Sequence, residues 1–414
     1  MGFHSRRMFL FGSLGAGVLL GNLGAGAETT HESTAHNNKD LDDYIEGQRR
    51  ALQIPGLAAC IVKEGRVVWA KGYGWANISK RISMDPGHTI QNIGSISKTI
   101  VTTAVMQLWE KGKFQLDDDV SEHLQFSVRN PIYPNIPITY RQLLTHSSSI
   151  DDSMAYQTSY ACGDPKLSLE IWLKEYFTVG GRFYSKEANF HPWKPGEKNA
   201  YSNTGFGLLG YLVERISGEP LSQYTKKHIF EPLEMKRTGW FLSEIDTAAH
   251  AVPYVPDVKA GSIVEELDVY RRLGFLGSNL EKDPRSGDYW PLCLYSFPNF
   301  PDGALRTSVN QLARFLLAYM NNGALGKTRI LAADTVRLML TPQSATSSRQ
   351  GLCWVNEQRN GQRHWGHNGA DPGIRTTMSF RMTDNIGVIT FVNRGSGIDL
   401  SSVNARLFQE AARF

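Results

Sequence analysis

Strand character gathers near the two ends of this chain, and that placement limits the fold more than any other feature. Residues 57–62 and 67–73 are apolar, β-prone runs joined at Glu64-Gly65-Arg66, the spacing of a hairpin. Toward the other end, residues 352–357 and 362–367 flank Asn360-Gly361. Residues 376–382 and 386–392 flank Asp384-Asn385. Between the two ends the pattern is helical: residues 138–145, 205–216 and 308–319 carry apolar residues at helical spacing. Residues 150–195 and 250–300 are irregular and rich in aromatics, Pro and Gly, as loops with substrate contacts often are. Leu41, Tyr44, Ile45, Gln48 and Leu52 mark an opening helix stopped by Pro55-Gly56. Leu400, Val403, Leu407 and Ala411 mark a closing one. The fold class expected is α+β: one antiparallel sheet built from N- and C-terminal strands, flanked by terminal helices, with a large, mostly helical insertion. Residues 39–93 with 300–414 form the sheet part, and 94–299 the helical part, of one domain.

The first 38 residues are expected to lie outside that domain. Ser5-Arg6-Arg7-Met8-Phe9-Leu10 is a twin-arginine pattern, followed by a Gly-rich apolar stretch and a small-x-small site at Ala25-Gly26-Ala27. Residues 1–27 therefore read as an export signal and 28–38 as a flexible leader. The apolar stretch is short and Gly-rich for a membrane span, and no later segment is long enough for one. The expected location is periplasmic or extracellular. Net charge is +4, or +2 once Arg6 and Arg7 leave with the signal, and no Lys/Arg-rich run is present. Nothing there supports a nucleic-acid partner. Cys60, Cys162, Cys293 and Cys353 are far apart with no C-x-x-C, so no metal site is expected. Cys60 and Cys353 sit in apolar runs and read as small buried hydrophobes. A disulfide is compatible with an oxidising compartment.

Ser95-Ile96-Ser97-Lys98 is the sole Ser-x-x-Lys in the chain, and it opens a strongly apolar run that reads as a buried helix. Positions three apart share a helix face, so hydroxyl and amine lie side by side. Serine is a weak nucleophile that needs a neighbouring base, and a helix start favours developing negative charge. Tyr201-Ser202-Asn203 is the best second element. In an extended segment Tyr201 and Asn203 point the same way. A phenol beside an ammonium is expected to have a lowered pKa and so to carry the serine proton. Tyr133-Pro134-Asn135 and Tyr319-Met320-Asn321 share the spacing, but one is a Pro-rich turn and the other a helix face. The third element is His367-Asn368-Gly369, where glycine lets a substrate backbone approach the strand edge. His364 and His367 fall on opposite faces, so only one faces a pocket, and a zinc pair is disfavoured. Arg237-Thr238-Gly239 is read as a turn.

In this order the three elements resemble the motifs of the serine β-lactamase and penicillin-binding-protein superfamily. The likeness is greatest to its class C-like branch of D,D-peptidases, D-aminopeptidases and esterases. Residues 138–146, Pro195-Gly196-Glu197 and residues 303–307 are similar to recurrent family segments, and the resemblance spans about residues 40–410. It implies a fold of the β-lactamase α/β-sandwich type and no cofactor. It also implies roles: Ser95 is the acylated nucleophile, Lys98 and Tyr201 share the general-base work, and Asn203 orients Lys98 and the substrate. His367 tunes the phenol, the backbone N–H groups of Ser95 and Ala370 form an oxyanion hole, and Asn368 and Gly369 bind substrate. Two departures stand out. His367-Asn368 replaces the family's Lys-Thr, which removes a cation and a hydroxyl that hold a β-lactam carboxylate. Ser147-Ser148-Ser149-Ile150 replaces Thr-Ser-Gly-Leu.

The expected activity is therefore that of an exported serine hydrolase acting on esters or amides, D-amino-acid peptides included. A class C-like β-lactamase and a non-catalytic penicillin-binding or sensor module are the rivals. Trp172, Phe190 and Trp193 are candidate pocket walls.

Overall fold

A computed structural model describes residues 39–257, 268–275, 288–395 and 397–414. The expected signal and leader lie outside these residues, as does part of the irregular stretch 250–300. In chain order the principal elements are α1 (Lys39–Ala51), β1 (Gly56–Lys63), β2 (Arg66–Asn77), β3 (Ile82–Ser83), α2 (Ser97–Glu110), α3 (Tyr140–Leu144) and α4 (Leu169–Phe177). Then follow α5 (Asn203–Ser217), α6 (Val309–Met320), β4 (Val355–Arg359), β5 (Gln362–Asp371), β6 (Ile374–Arg381), β7 (Ile386–Val392) and α7 (Ser401–Glu410).

Seven strands make one sheet in the order β4-β5-β6-β7-β1-β2-β3. Every neighbouring pair is antiparallel. The first and last strand groups meet where β1 pairs with β7, Leu57 opposite Val392 through Lys63 opposite Ile386. The sheet is thus closed by the two ends of the domain, as the strand distribution requires. The turns have the expected chemistry: Glu64-Gly65 and Asn360-Gly361 hold positive φ at both residues, which the tight hairpin needs.

Alternation along β1 sorts the core into two. Leu57, Ala59 and Ile61 face a cluster that includes Leu41 and Ile45 of α1 and Val403 and Leu407 of α7. Ala58, Cys60 and Val62 face the larger cluster, with Ile100 and Val101 of α2 and Leu312 and Leu316 of α6. That larger layer positions the site. Helix α2 is buried along Ser97–Leu108, and its Thr99, Thr102 and Thr103 hydroxyls satisfy themselves on carbonyls of the preceding turn. Helix α4 falls within the stretch read as irregular. Its signal was present: Leu169, Trp172, Leu173 and Tyr176 at helical spacing behind a Ser168 cap. Among the described residues no helix is long and apolar enough to cross a membrane.

Candidate active site

Ser95 does not sit in α2 itself. It occupies the 3₁₀ turn Gly94–Ile96 that leads into the helix. Gly94 has φ +54°, and a Cβ there would lie 2.8 Å from the Ala370 backbone nitrogen. Gly369 is equally constrained, since a Cβ would lie 2.0 Å from the Ile93 carbonyl oxygen. The Thr376 hydroxyl donates to that same oxygen at 2.7 Å. Two glycines thus let strand β5 press backbone to backbone against the Ser95 turn, which sets the Ala370 amide beside it. The register of β4 on β5 ends at Val355 opposite Gly366. From His367 onward β5 pairs with β6 alone among the described strands.

Lys98 is fully buried and uses all three ammonium hydrogens. They go to Ser95 Oγ at 3.0 Å, Asn203 Oδ1 at 2.8 Å and the Asp302 carbonyl at 2.7 Å. The Asp302 carboxylate stands 3.9 Å away. Burial pushes the Lys98 pKa down, but the Tyr201 oxygen and the Asp302 and Asp152 carboxylates outweigh it, and the net direction is up. Lys98 therefore rests as an ammonium.

Asn203 is held by a partner that the spacing did not reveal. Both Asp152 oxygens cap the start of α5: one accepts from Asn203 N–H and Nδ2 at 2.8 and 2.9 Å, the other from Thr204 N–H and Oγ1 at the same distances. With Nδ2 committed to Asp152, Oδ1 must face Lys98. The expectation of an extended Tyr201–Asn203 segment is corrected here. Ser202 is the N-cap, its Oγ accepting from Gly205 N–H at 3.0 Å, so Asn203 is the first helical residue and only Tyr201 lies in the loop.

Tyr201 lies over the lysine, with Nζ 4.9 Å from the ring centre. The residue keeps 48% of its surface open although its phenol end is deep among protein atoms, so the ring is reachable from solvent while its hydroxyl is enclosed. The expected lowering of its pKa is overturned. Crowding by protein raises it, Lys98 and Ser95 pull it back, and the balance is upward because the same enclosure that brings the ammonium near also strips water from a phenolate. Both partners thus hold their protons at neutral pH.

His367 stands beside Tyr201, its ring centre 6.4 Å from that of the phenol. Its Nδ1–H donates to the Asn368 carbonyl at 2.8 Å, which leaves Nε2 as the acceptor. Burial and Lys98 take its pKa down to about 4. Asn368 is exposed. His364, on the other face, packs edge-on against Phe408 of α7. The alternative tyrosines are elsewhere: Tyr133 donates to the Pro192 carbonyl, and Tyr319 is buried against Thr103. Of the three aromatic walls expected, Trp172 and Phe190 are core residues. Only Trp193 is half-buried, stacked on His191 at 4.1 Å. Trp172 is turned by α4 onto Tyr176 and Phe183, and Phe190 packs on Phe177.

Behind the nucleophile runs a buried line of polar groups that no motif announced. Tyr156 interacts with the Asp302 carboxylate, Tyr156 and Tyr160 hydroxyls are 3.3 Å apart, and Tyr160 donates to Asp371 Oδ1 at 2.9 Å. Burial raises Asp302 to about 6 and Asp371 to about 8. Cys162 and Cys293 form a disulfide in this neighbourhood, while Cys60 and Cys353 are free and buried. Among the described residues no group of three or more His, Cys, Asp or Glu could hold a metal ion.

Comparison with known proteins gives the family. The family model described as Beta-lactamase matches residues 41–413. PbpX of Bacillus subtilis (strain 168), a penicillin-binding protein by name, is 29% identical over 255 residues, 58% of either chain. The chain spans about half the length of the curated relatives it matches. An octameric penicillin-binding protein homologue from Pyrococcus abyssi superposes with a TM-score of 0.67 at 26% identity, covering 91% of this chain and 77% of its own. D-amino acid amidase from Ochrobactrum anthropi SV3 shares the fold, with a TM-score of 0.67 at 19% identity over 90% of this chain and 99% of its own.

Proposed function

The chain belongs to the beta-lactamase family, and from that membership we propose that it is an exported serine hydrolase working through an acyl-enzyme on Ser95. The observation that carries the reading is Lys98, bonded at once to Ser95 Oγ, Asn203 and the Asp302 carbonyl beneath an exposed Tyr201. When the Lys98–Tyr201 pair has lost one proton it can take the Ser95 hydroxyl proton. Ser95 Oγ then bonds to the substrate carbonyl carbon, and the oxyanion is received by the Ser95 and Ala370 amides. The proton passes to the leaving amine or alcohol as its bond to carbon breaks. Water, activated by the same pair, releases the acid and restores Ser95.

Esters and amides, D-configured amides and peptides among them, come before β-lactams in this reading. His367 is uncharged and Asn368 carries no hydroxyl, so the third motif supplies neither the cation nor the hydroxyl that a β-lactam carboxylate meets in the family's Lys-Thr form. The O. anthropi neighbour is by name a D-amino acid amidase, which puts D-amino acid amides among the first substrates to try. The Arg6-Arg7 pattern supports export.

Intact-protein mass spectrometry after incubation with a fluorophosphonate, an aryl ester, a D-amino acid amide and a penicillin tests the reading. A fluorophosphonate adduct on wild type and none on Ser95→Ala is expected, with ester or amide turnover. No adduct, or the same adduct on Ser95→Ala, overturns the enzyme reading. Fast cephalosporin hydrolysis without esterase activity overturns the substrate order.

A further inference from the structure

A second histidine touches Tyr201, and the chemistry above does not use it. His146 stands at the start of the loop after α3, buried, and three of its contacts converge on the phenol-bearing residue. The Ala200 N–H donates to the His146 carbonyl at 2.8 Å. The Ser202 N–H donates to His146 Nδ1 at 3.1 Å. Between those two anchors the imidazole stacks on the Tyr201 ring, centres 4.3 Å apart and planes 27° from parallel. Phe206 lies 5.0 Å from the same imidazole.

His146 holds this pose against two local penalties. Its backbone is at φ +55°, in the left-handed region that side chains adopt at a cost. Because Nδ1 accepts from Ser202, the ring proton sits on Nε2, and that N–H is enclosed without a partner among the described residues. Burial, Lys98 and His367 all oppose a second proton, so the ring stays neutral. A strained, partly unsatisfied side chain persists only where the surroundings over-determine it, and such residues collect at functional sites. Neighbouring rungs extend the grip: Asn199 Nδ2 donates to the Thr145 carbonyl at 2.7 Å, and Gly196 N–H to the Ser147 carbonyl at 2.7 Å. Tyr201 itself precedes α5 and is half exposed, so the helix does not hold its backbone.

We propose that His146 is the positioning residue of Tyr201, gripping the backbone on both sides of the phenol and backing its ring so that the hydroxyl stays over Lys98 and Ser95. It acts through Tyr201 and makes no contact with substrate. The inference rests on the reading of Tyr201 as a proton carrier.

A double-mutant cycle tests it, with kcat and KM for an aryl ester measured per fluorophosphonate-titrated site. His146→Gly relieves the backbone strain and removes the ring; His146→Asn keeps a side chain suited to positive φ. Each is expected to fold and to lose roughly a hundredfold in kcat, with KM within about threefold, as a displaced catalytic group does. Tyr201→Phe should lose at least as much. His146→Gly combined with Tyr201→Phe should lose no more than Tyr201→Phe alone, because one residue acts through the other. Losses that multiply in the double variant, wild-type kcat in the His146 variants, or failure of both to fold would each overturn the proposal while leaving the Tyr201 reading in place. Full activity of Tyr201→Phe would overturn both.

Discussion

Two histidines three residues apart on β5 lead different lives. His364 packs against Phe408 in the layer beneath the terminal helices, while His367 stands beside Tyr201. Burial takes both pKa values down to about 4, so charge does not separate them. Their neighbours do. One layer of the sheet is an apolar seam whose members are interchangeable in chemistry and constrained in shape. The other surrounds Lys98 with Tyr201, Asn203, Asp152 and Asp302, where polar side chains hold one another in place. Function in this molecule is a property of the surroundings more than of residue type.

The comparison is tested most severely at the polar layer. Lys98→Ala should lower the acylation rate at pH 7 by about 10²–10⁴-fold, the range for loss of a positioned base, in a burst or adduct-formation assay. A rate within tenfold of wild type would make Lys98 a structural cation only. The histidine pair gives the next largest contrast. His367→Ala should cost roughly tenfold to a hundredfold in kcat. His364→Ala should leave kcat intact and lower the melting temperature, and equal kinetic losses at both positions would erase the distinction between the layers.

A smaller, continuous effect comes from pH. Lys98 and Tyr201 both have pKa values raised above their ordinary ranges, so the deprotonated pair is scarce at neutrality. Its fraction grows about tenfold per pH unit below those values. The kcat/KM for an uncharged ester should therefore climb from pH 6 to 9 without levelling, and a plateau beginning near 7 would show that the resting protonation state is otherwise. The least effect is expected at Asp371. Its folded pKa of about 8 exceeds its unfolded value, so the native state binds the proton more tightly. Stability contributed by that proton is present at low pH and is lost as pH rises toward 8. Asp371→Asn should remove part of this slope and raise the melting temperature at pH 8 by about 1–3 °C. An unchanged slope would place the titration elsewhere.

The sheet was legible because alternation is local. Leu57, Ala59 and Ile61 against Ala58, Cys60 and Val62 already divide β1 between two cores. Asn360-Gly361 already demands a hairpin. Ser95, Lys98, Tyr201 and His367 were also found in sequence, through their spacing and through resemblance, and they do converge. Asn203 was found in identity but not in conformation, because the Ser202 cap that starts α5 competes with an extended strand. Asp152, Asp302 and His146 were missed. Asp152 meets Asn203 across 51 positions, and Asp302 serves Lys98 through a backbone carbonyl, which leaves no trace in residue identity. His146 was in view as part of a recurrent segment, but its task shows only when Ala200 and Ser202 close around it.

By itself the amino-acid order fixed which segments could be strands and helices, where turns had to fall, and which few side chains had the chemistry for acyl transfer, because those are matters of short-range geometry and of functional groups. Folding decided the proton locations, the orientation of the Asn203 amide, the Cys162–Cys293 pairing and the bracing of Tyr201. Those depend on burial and on partners far along the chain, and desolvation has no value until a group is surrounded.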